Sequence, residues 1–142
     1  MTREETVTTS AEETRALGRS VGESLHGGEL LLLQGDLGVG KTVFVKGLAE
    51  GIGSAAEVTS PTFVLEQIYE GRIVLIHIDL YRAGALDLRD LDIDEALEEG
   101  SSVVIEWSEK LPSAYRGDAL TITLCYLDDV APDHRRITIG RP

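Results

Sequence analysis

Residues 35–42 carry the clearest chemical signal in the sequence, because they match a phosphate-binding pattern. The segment reads Gly-Asp-Leu-Gly-Val-Gly-Lys-Thr, which fits GxxxxGK[ST]. In such a loop the glycines let successive backbone amides turn toward a phosphate. The lysine reaches the terminal phosphates of a nucleotide, and the threonine hydroxyl binds magnesium. The residues predicted to bind a nucleoside triphosphate are Gly35, Asp36, Leu37, Gly38, Val39, Gly40, Lys41 and Thr42.

Two acidic residues follow apolar runs elsewhere in the chain and are candidates for a magnesium-nucleotide site. Asp79 comes after residues 73–78, and Glu106 comes after residues 103–105. A carboxylate at the carboxyl end of a neighbouring strand can hold the metal or orient the attacking water. The sequence does not assign these two tasks, and either acid could instead be a solvated charge at the end of a strand.

Thr62 and His77 are the next candidates. Thr62 lies in Thr59-Ser60-Pro61-Thr62-Phe63, after the expected phosphate-loop helix, where nucleotide switches place a hydroxyl that senses the terminal phosphate. The alternative there is a turn stiffened by proline. His77 lies inside an apolar strand, so it is more often a buried residue that supports its neighbours than a catalytic base.

The identity of the nucleotide can be narrowed by what the sequence lacks. The chain contains no asparagine, so it has no guanine-specific NKxD element, and ATP is the expected nucleotide. The adenine would then contact peripheral groups. The candidates are the region of Ser10 and either Arg135 or Arg136, provided that the two ends of the chain fold over the loop.

Apolar periodicity predicts the elements that position these residues. A helix is expected over 11–26, with Ser10 and Glu13 as a capping box, and a buried parallel strand over 30–33 precedes the glycine loop. A helix over 41–52 follows the loop. The later elements are a hairpin over 64–69 and 72–78 with its turn at Glu70-Gly71, helical pieces within 86–97, a strand over 103–105, and an antiparallel pair over 120–127 and 136–139.

Composition sets the limits within which this site must work. The 142 residues suit one domain, residues 1–142, and the formal net charge of -12 disfavours unaided binding to nucleic acid. One cysteine and three histidines fall short of a disulfide or a zinc framework. No apolar run is long enough to cross a membrane. We expect a soluble, cytoplasmic protein.

The chain resembles the TsaE family, formerly YjeE, of small bacterial P-loop ATPases. The resemblance lies in Gly35 to Thr42, Ser60-Pro61-Thr62-Phe63, His77-Ile78-Asp79-Leu80-Tyr81-Arg82 and Glu106-Trp107. It implies an α/β, P-loop NTPase-like three-layer sandwich with a mixed, partly antiparallel central sheet. It further implies a magnesium-dependent ATPase for threonylcarbamoyl modification of the adenosine next to the anticodon in ANN-decoding tRNAs. The implied partners are the TsaD and TsaB proteins, with tRNA contacted only through them and the chain monomeric alone.

The same resemblance implies roles for individual residues. Thr42 and Glu106 would bind magnesium, Asp79 would support hydrolysis, and Thr62 would belong to a switch-like loop. The catalytic residues expected are therefore Asp79, Glu106 and Thr62, with Ser10 and Arg135 added to the nucleotide contacts. Two other readings share the phosphate loop: a phosphotransferase acting on a small molecule, and a nucleotide-gated binding module without chemistry.

Overall fold

A mixed sheet organises the part of the chain that the structure describes. The computed structural model describes residues 2–36, 38–55, 66–80, 93–106, 118–127 and 131–141. Within these residues the strands are β1 (Thr2–Thr8), β2 (Leu30–Gln34), β3 (Glu66–Glu70), β4 (Val74–Asp79), β5 (Ser102–Glu106), β6 (Leu120–Tyr126) and β7 (Arg135–Arg141). The helices are α1 (Ala11–Ser24), α2 (Lys41–Gly51) and α3 (Ile93–Glu98). The α/β class expected from the sequence is confirmed.

Strand β2 lies at the centre of the sheet, whose order is β1-β7-β6-β2-β5-β4-β3. It pairs in parallel with β5 and β6, and β4 is parallel to β5. Leu31, Leu32 and Leu33 are almost completely buried, as expected of a parallel strand whose two faces are both covered. The prediction of a buried parallel strand over 30–33 is confirmed.

Antiparallel pairs lie on both sides of this parallel centre. Strand β3 pairs with β4, and β7 pairs with both β6 and β1. The predicted hairpin and closing pair are confirmed, but the predicted two-residue turn is wrong. Glu70 pairs with Val74, so residues 71–73 form the connection. The amide of Arg72 donates to the carbonyl of Ile52, 2.6 Å away, which draws this connection onto the end of α2.

Strand β1 is an addition to the elements expected from the sequence. Its sequence, Thr-Arg-Glu-Glu-Thr-Val-Thr, contains one apolar residue, Val7, which is half-exposed. The strand pairs with β7 along its whole length, from Thr2 opposite Arg141 to Thr8 opposite Arg135. Backbone hydrogen bonds therefore hold β1, and an edge strand of this kind needs no alternation of apolar residues.

Helices α1 and α2 pack on each other at very close range. A Cβ atom on Gly47 would lie 2.1 Å from the carbonyl oxygen of Arg15, and one on Gly18 would lie 2.3 Å from that of Phe44. The glycines at this contact, which we call the glycine contact, are Gly18, Gly22, Gly47 and Gly51. Phe44, Leu48 and other apolar side chains of α2 belong to the same core as Leu31 and Leu33 of β2. These two helices thus form one layer against the sheet.

The opposite face of the sheet packs against α3. Ile93 of α3 belongs to a second core with Leu32, Ile78 and Ile105. The sheet therefore lies between two helical layers, as the three-layer prediction requires. Of the helical pieces predicted within 86–97, residues 93–97 lie in α3 and residues 86–92 lie outside the described residues. Within the described part of the chain, every helix is too short or too polar to cross a membrane.

Candidate nucleotide-binding site

The glycine loop connects the carboxyl end of β2 to the first residue of α2. Gly40 precedes α2 with φ of 115°, and Gly35 follows β2 with φ of 150°; glycine adopts these conformations without the penalty that a Cβ atom brings. A Cβ on Gly35 would also lie 2.7 Å from the carbonyl oxygen of Leu124 on β6. The two glycines thus allow a sharp turn that packs against the sheet and ends at a helix amino terminus, where free amides attract anions.

Two cationic side chains hold this loop from opposite ends. Lys41 is 5% exposed, and its Nζ donates a hydrogen bond to the carbonyl oxygen of Gly35, 2.8 Å away. Arg135 of β7 donates from Nε to the carbonyl oxygen of Val39, also 2.8 Å away. Its guanidinium lies over the ring of Tyr126, 4.5 Å from the centroid. The loop carbonyls therefore have cationic donors, and Lys41 stands where phosphates would approach the loop.

Both candidate acids stand at the same edge of the sheet as the glycine loop. Asp79, the last residue of β4, is the register partner of Glu106, the last residue of β5. Glu106 is in turn the register partner of Leu33, two residues before Gly35. Glu106 is 4% exposed and Asp79 is partly buried. The structure thus places Asp79 and Glu106 at the carboxyl edge of the parallel strands, where β2 leads into the glycine loop and Lys41.

His77 contacts one of these acids. Its Nε2 lies 2.6 Å from Oε2 of Glu106, and its side chain is fully buried. Residues two apart on a strand share a face, so His77 lies on the same face of the sheet as Asp79. The sequence placed His77 inside an apolar strand but did not predict this pairing. No sequence signal could have predicted it, because the pairing depends on β4 and β5 being neighbours and on their register.

A cavity of about 210 Å³ lies beside the loop, between the start of α1 and β7. Its lining residues are Ala11, Thr14, Gly38, Val39, Gly40, Val43, Asp133 and Arg135. The hydroxyl of Thr14 bonds that of Thr8, 2.7 Å away and buried, so its polar atom is already paired. Arg135, which the sequence predicted as a nucleotide contact, lies in this wall. Thr14 and Val43 were not predicted to line a cavity, because a small side chain within a helix does not indicate a binding site.

Ser10 caps α1 beside this cavity. Its hydroxyl accepts a hydrogen bond from the amide of Glu13, 3.1 Å away, and it lines a neighbouring groove rather than the 210 Å³ cavity. The Glu13 carboxylate accepts from the amide and hydroxyl of Thr9, so the reciprocal half of the predicted capping box reaches one residue further back. These bonds lower the pKa of Glu13, and the bond from the hydroxyl of Thr9 contributes most. The predicted adenine contact of Ser10 stays a prediction.

Several predicted residues lie outside the described part of the chain. They are Leu37 of the glycine loop and Thr62 of the expected switch segment. The motif residues Ser60, Pro61, Phe63, Tyr81, Arg82 and Trp107 lie there too. Their predicted roles stay predictions.

The fold and the site together define a class of protein. A central parallel strand, a glycine loop with a lysine, a following helix and strand-end acids at one edge make this a P-loop NTPase-like fold. The solved structure of YdiB from Bacillus subtilis is similar to it, with a TM-score of 0.75 and 31% sequence identity over 99% of this chain and 86% of that one.

Sequence comparison then defines the family. The family described as Threonylcarbamoyl adenosine biosynthesis protein TsaE matches residues 8–137. A tRNA threonylcarbamoyladenosine biosynthesis protein TsaE from Treponema pallidum is 42% identical, covering 94% of this chain and 98% of its own length. The protein of that name from Streptomyces coelicolor is 38% identical over 88% of each chain. This chain belongs to the TsaE family, as the resemblance predicted.

Proposed function

We propose that the chain is a magnesium-dependent ATPase required for threonylcarbamoyl modification of the adenosine next to the anticodon in ANN-decoding tRNAs. The observation that carries the proposal is the glycine loop between β2 and α2, with Lys41 hydrogen-bonded across it. Glu106 stands in register with the strand that leads into this loop. The tRNA modification in this proposal is inferred from the family, because the names of the relatives from Treponema pallidum and Streptomyces coelicolor include threonylcarbamoyladenosine biosynthesis.

The side chains at the loop have the chemistry that magnesium requires. Magnesium prefers oxygen ligands and is usually bound by one or two protein groups together with phosphates and water. The hydroxyl of Thr42 and the carboxylate of Glu106 supply two such oxygens. Among the described residues, no group of three or more His, Cys, Asp or Glu is placed to hold a metal ion by itself. Bound magnesium would neutralise charge on the phosphates during transfer.

The remaining residues divide the work around the triphosphate. Lys41 would pair with the terminal phosphates, which attract its ammonium more strongly than the neutral carbonyl of Gly35. Asp79, beside Glu106, would orient the attacking water. Thr62 keeps its predicted role as a sensor of the terminal phosphate. The 210 Å³ cavity would receive the adenine, with Arg135 in its wall.

The proposed partners are the TsaD and TsaB proteins. The chain would act on their complex and reach tRNA only through it, because its charge of -12 opposes direct binding to a phosphate backbone. Hydrolysis would release a closed, partner-bound state. ATP turnover is therefore slow for the chain alone and faster with the TsaB-TsaD complex.

Calorimetry with ATP tests the nucleotide site directly. The chain should bind ATP with a magnesium-dependent affinity. Lys41→Ala should weaken binding about ten- to hundredfold, because a hydrogen bond to a charged group contributes about 1.5–3 kcal/mol. Lys46→Ala, on the same helix but away from the loop, is the matched control and should bind like the parent. Equal affinities for the two variants would contradict the proposed phosphate contact.

Single-turnover hydrolysis with and without TsaB-TsaD tests the activity. We expect phosphate release that the partners accelerate. The absence of phosphate release in both cases would favour a nucleotide-gated binding module. Consumption of ATP only when a small acceptor is added would favour a phosphotransferase.

A further inference from the structure

A buried histidine, His77, bonds Glu106, the acid that ends β5 beside the central strand β2. The side chain of His77 is fully buried, and that of Glu106 is 6% exposed. The distance between Nε2 of His77 and Oε2 of Glu106 is 2.6 Å, which is short for a hydrogen bond to a carboxylate. Removing both polar groups from water at this position is costly unless each has a partner. The pair is therefore a specific contact within the core.

The direction of this hydrogen bond follows from the inventory of donors and acceptors. A carboxylate that binds magnesium is ionised and only accepts, so in the proposed site the proton of this bond lies on Nε2 of His77. The other ring nitrogen, Nδ1, is buried and has no hydrogen-bond partner among the described residues. A second proton on Nδ1 would leave a buried donor unpaired, whereas the neutral ring with its proton on Nε2 avoids that. The contact thus defines one tautomer of His77.

The position of the pair relates it to the nucleotide site. Val104 is the register partner of His77, and Glu106 follows two residues later on the same face of the sheet. His77 thus contacts Glu106 from further inside the sheet, while Glu106 itself ends β5 at the loop edge. The bond from His77 to Oε2 restricts the orientation of the Glu106 carboxylate. The orientation of its other oxygen, Oε1, is restricted with it.

We infer that His77 is a positioning residue, which holds Glu106 so that one carboxylate oxygen is presented to magnesium at the glycine loop. The inference rests on the proposed function, in which Glu106 is a metal ligand. Histidine–carboxylate pairs at metal sites fix the orientation of the ligand, and loss of the supporting partner costs about 10- to 100-fold in metal affinity. A histidine that only filled the core would have no such effect on the metal.

Two substitutions of His77 separate positioning from packing. His77→Leu fills similar space without a donor, whereas His77→Gln places an amide N–H near the former Nε2. We expect the magnesium concentration for half-maximal ATP binding to rise about tenfold or more in His77→Leu and to stay within about threefold of the parent in His77→Gln. ATP binding in the presence of EDTA should be equal in both. His26→Gln, at an exposed histidine, is the control and should match the parent.

The outcomes distinguish this inference from the proposed function. An unchanged magnesium requirement in His77→Leu, with magnesium-dependent binding in the parent, would overturn the role of His77 alone. A parent protein that binds ATP without any magnesium dependence would overturn both. Equal defects in the Leu and Gln variants would also overturn the inference, because restoring the donor should restore the effect.

Nitrogen-15 NMR of the histidine rings gives a readout that needs no nucleotide and can be recorded first on the parent protein. In the full chain His77 should show a proton on Nε2, shifted downfield by its bond to the carboxylate. The downfield shift should disappear in Glu106→Leu. A proton found on Nδ1 instead would overturn the inference, because Nε2 could not then donate to Glu106.

Discussion

Asp79 and Glu106 lie side by side on neighbouring strands although both are acidic. Like charges in register on adjacent strands repel each other and destabilise a sheet. The cost is reduced when a cation binds Glu106, as proposed for magnesium, and the start of α2 with Lys41 supplies positive potential at the same edge. The repulsion between these acids is thus consistent with a site built to receive a magnesium-bound nucleotide.

Asp79→Asn tests whether the second acid takes part in chemistry. Asparagine keeps the shape of the side chain but cannot take up a proton or orient water as a carboxylate does. We expect ATP affinity within about threefold of the parent and a loss of about 10²- to 10⁴-fold in partner-stimulated turnover, the usual contribution of a positioned acid or base. The exposed acid Asp94 provides the control substitution, Asp94→Asn, which should leave turnover unchanged. Full turnover in Asp79→Asn would exclude Asp79 from the reaction.

At the residue scale the sequence predicted identities better than contacts. The types and spacing of Gly35 to Thr42 are enough to predict the glycine loop, because its chemistry depends on residues adjacent in the chain. The approach of His77 to Glu106 depends instead on which strands are neighbours and on their register. Neither is encoded locally, so the pair could be found only in the folded chain.

At the element scale the glycine contact joins the two helices, α1 and α2, that border the 210 Å³ cavity. Ala11 and Thr14 of α1 line that cavity, while α2 begins at the glycine loop. Because glycines let the two backbones touch, the spacing of the helices has little freedom. The geometry of the cavity is thus tied to a helix contact more than one turn away.

Gly47→Ala tests this contact through the sign of its effect. Alanine favours a helix over glycine by about 1 kcal/mol, so propensity alone predicts stabilisation. The added Cβ would instead meet the carbonyl of Arg15 at 2.1 Å, and overpacking of this kind costs about 1–3 kcal/mol. We expect urea denaturation to show a net loss of stability. Ser20→Ala, on the exposed side of α1, is the control and should be neutral or slightly stabilising. A more stable Gly47→Ala would contradict the close packing.

Glu29 joins the connection before β2 to the start of β5. Burial raises the pKa of its carboxyl, but hydrogen bonds from the amides of His26 and Gly27 and the hydroxyl of Ser102 outweigh it and lower the pKa below the ordinary value. A lowered pKa in the folded state means that ionised Glu29 stabilises the fold above the unfolded pKa. This stability is lost as the pH falls through the folded pKa.

Glu29→Gln should therefore destabilise the protein in a pH-dependent way. We expect a loss of about 1–3 kcal/mol at pH 7, where the parent carboxylate is charged, and a smaller loss at about pH 3. Urea denaturation at both pH values measures the two differences. Glu12→Gln, at an exposed position of α1, serves as the control. The same loss at both pH values would show that the charge of Glu29 does not contribute.

The elements that the sequence predicted and the one that it missed differ in what stabilises them. Strand β2 and helix α2 bury regular apolar patterns, which can be read from the residues alone. Strand β1 buries almost nothing and exists because β7 offers it a free edge. The shift of the turn after Glu70 has a similar origin, because residues 71–73 are held by the end of α2. Backbone partners distant in sequence leave no periodic signal.

At the scale of the whole molecule the surface charge opposes direct contact with tRNA. The net charge is -12, and several of the cations in the described residues are already paired. Arg15 and Arg19 both face Glu50, and Arg136 lies 2.9 Å from Glu5. These pairs reduce the positive charge that the described surface can offer to a phosphate backbone.

Fluorescence anisotropy with labelled tRNA tests this conclusion. The chain alone should bind tRNA with a Kd above about 100 µM at physiological salt, which is weaker than typical non-specific binding by a nucleic-acid-binding protein. The TsaB-TsaD complex should retain tRNA, and the chain should join it in an ATP-dependent manner in a pull-down. Micromolar binding of tRNA by the chain alone would contradict an action through protein partners.

The pairing of β1 with β7 places the first residue of β1 and the last residue of β7 at one corner of the sheet. Thr2 is opposite Arg141, and partners in an antiparallel ladder are about 5 Å apart. Strand β1 runs parallel to β2, so this corner is at the far side of the sheet from Gly35. Dyes or surface tethers attached at this corner would therefore leave the mouth of the phosphate loop accessible.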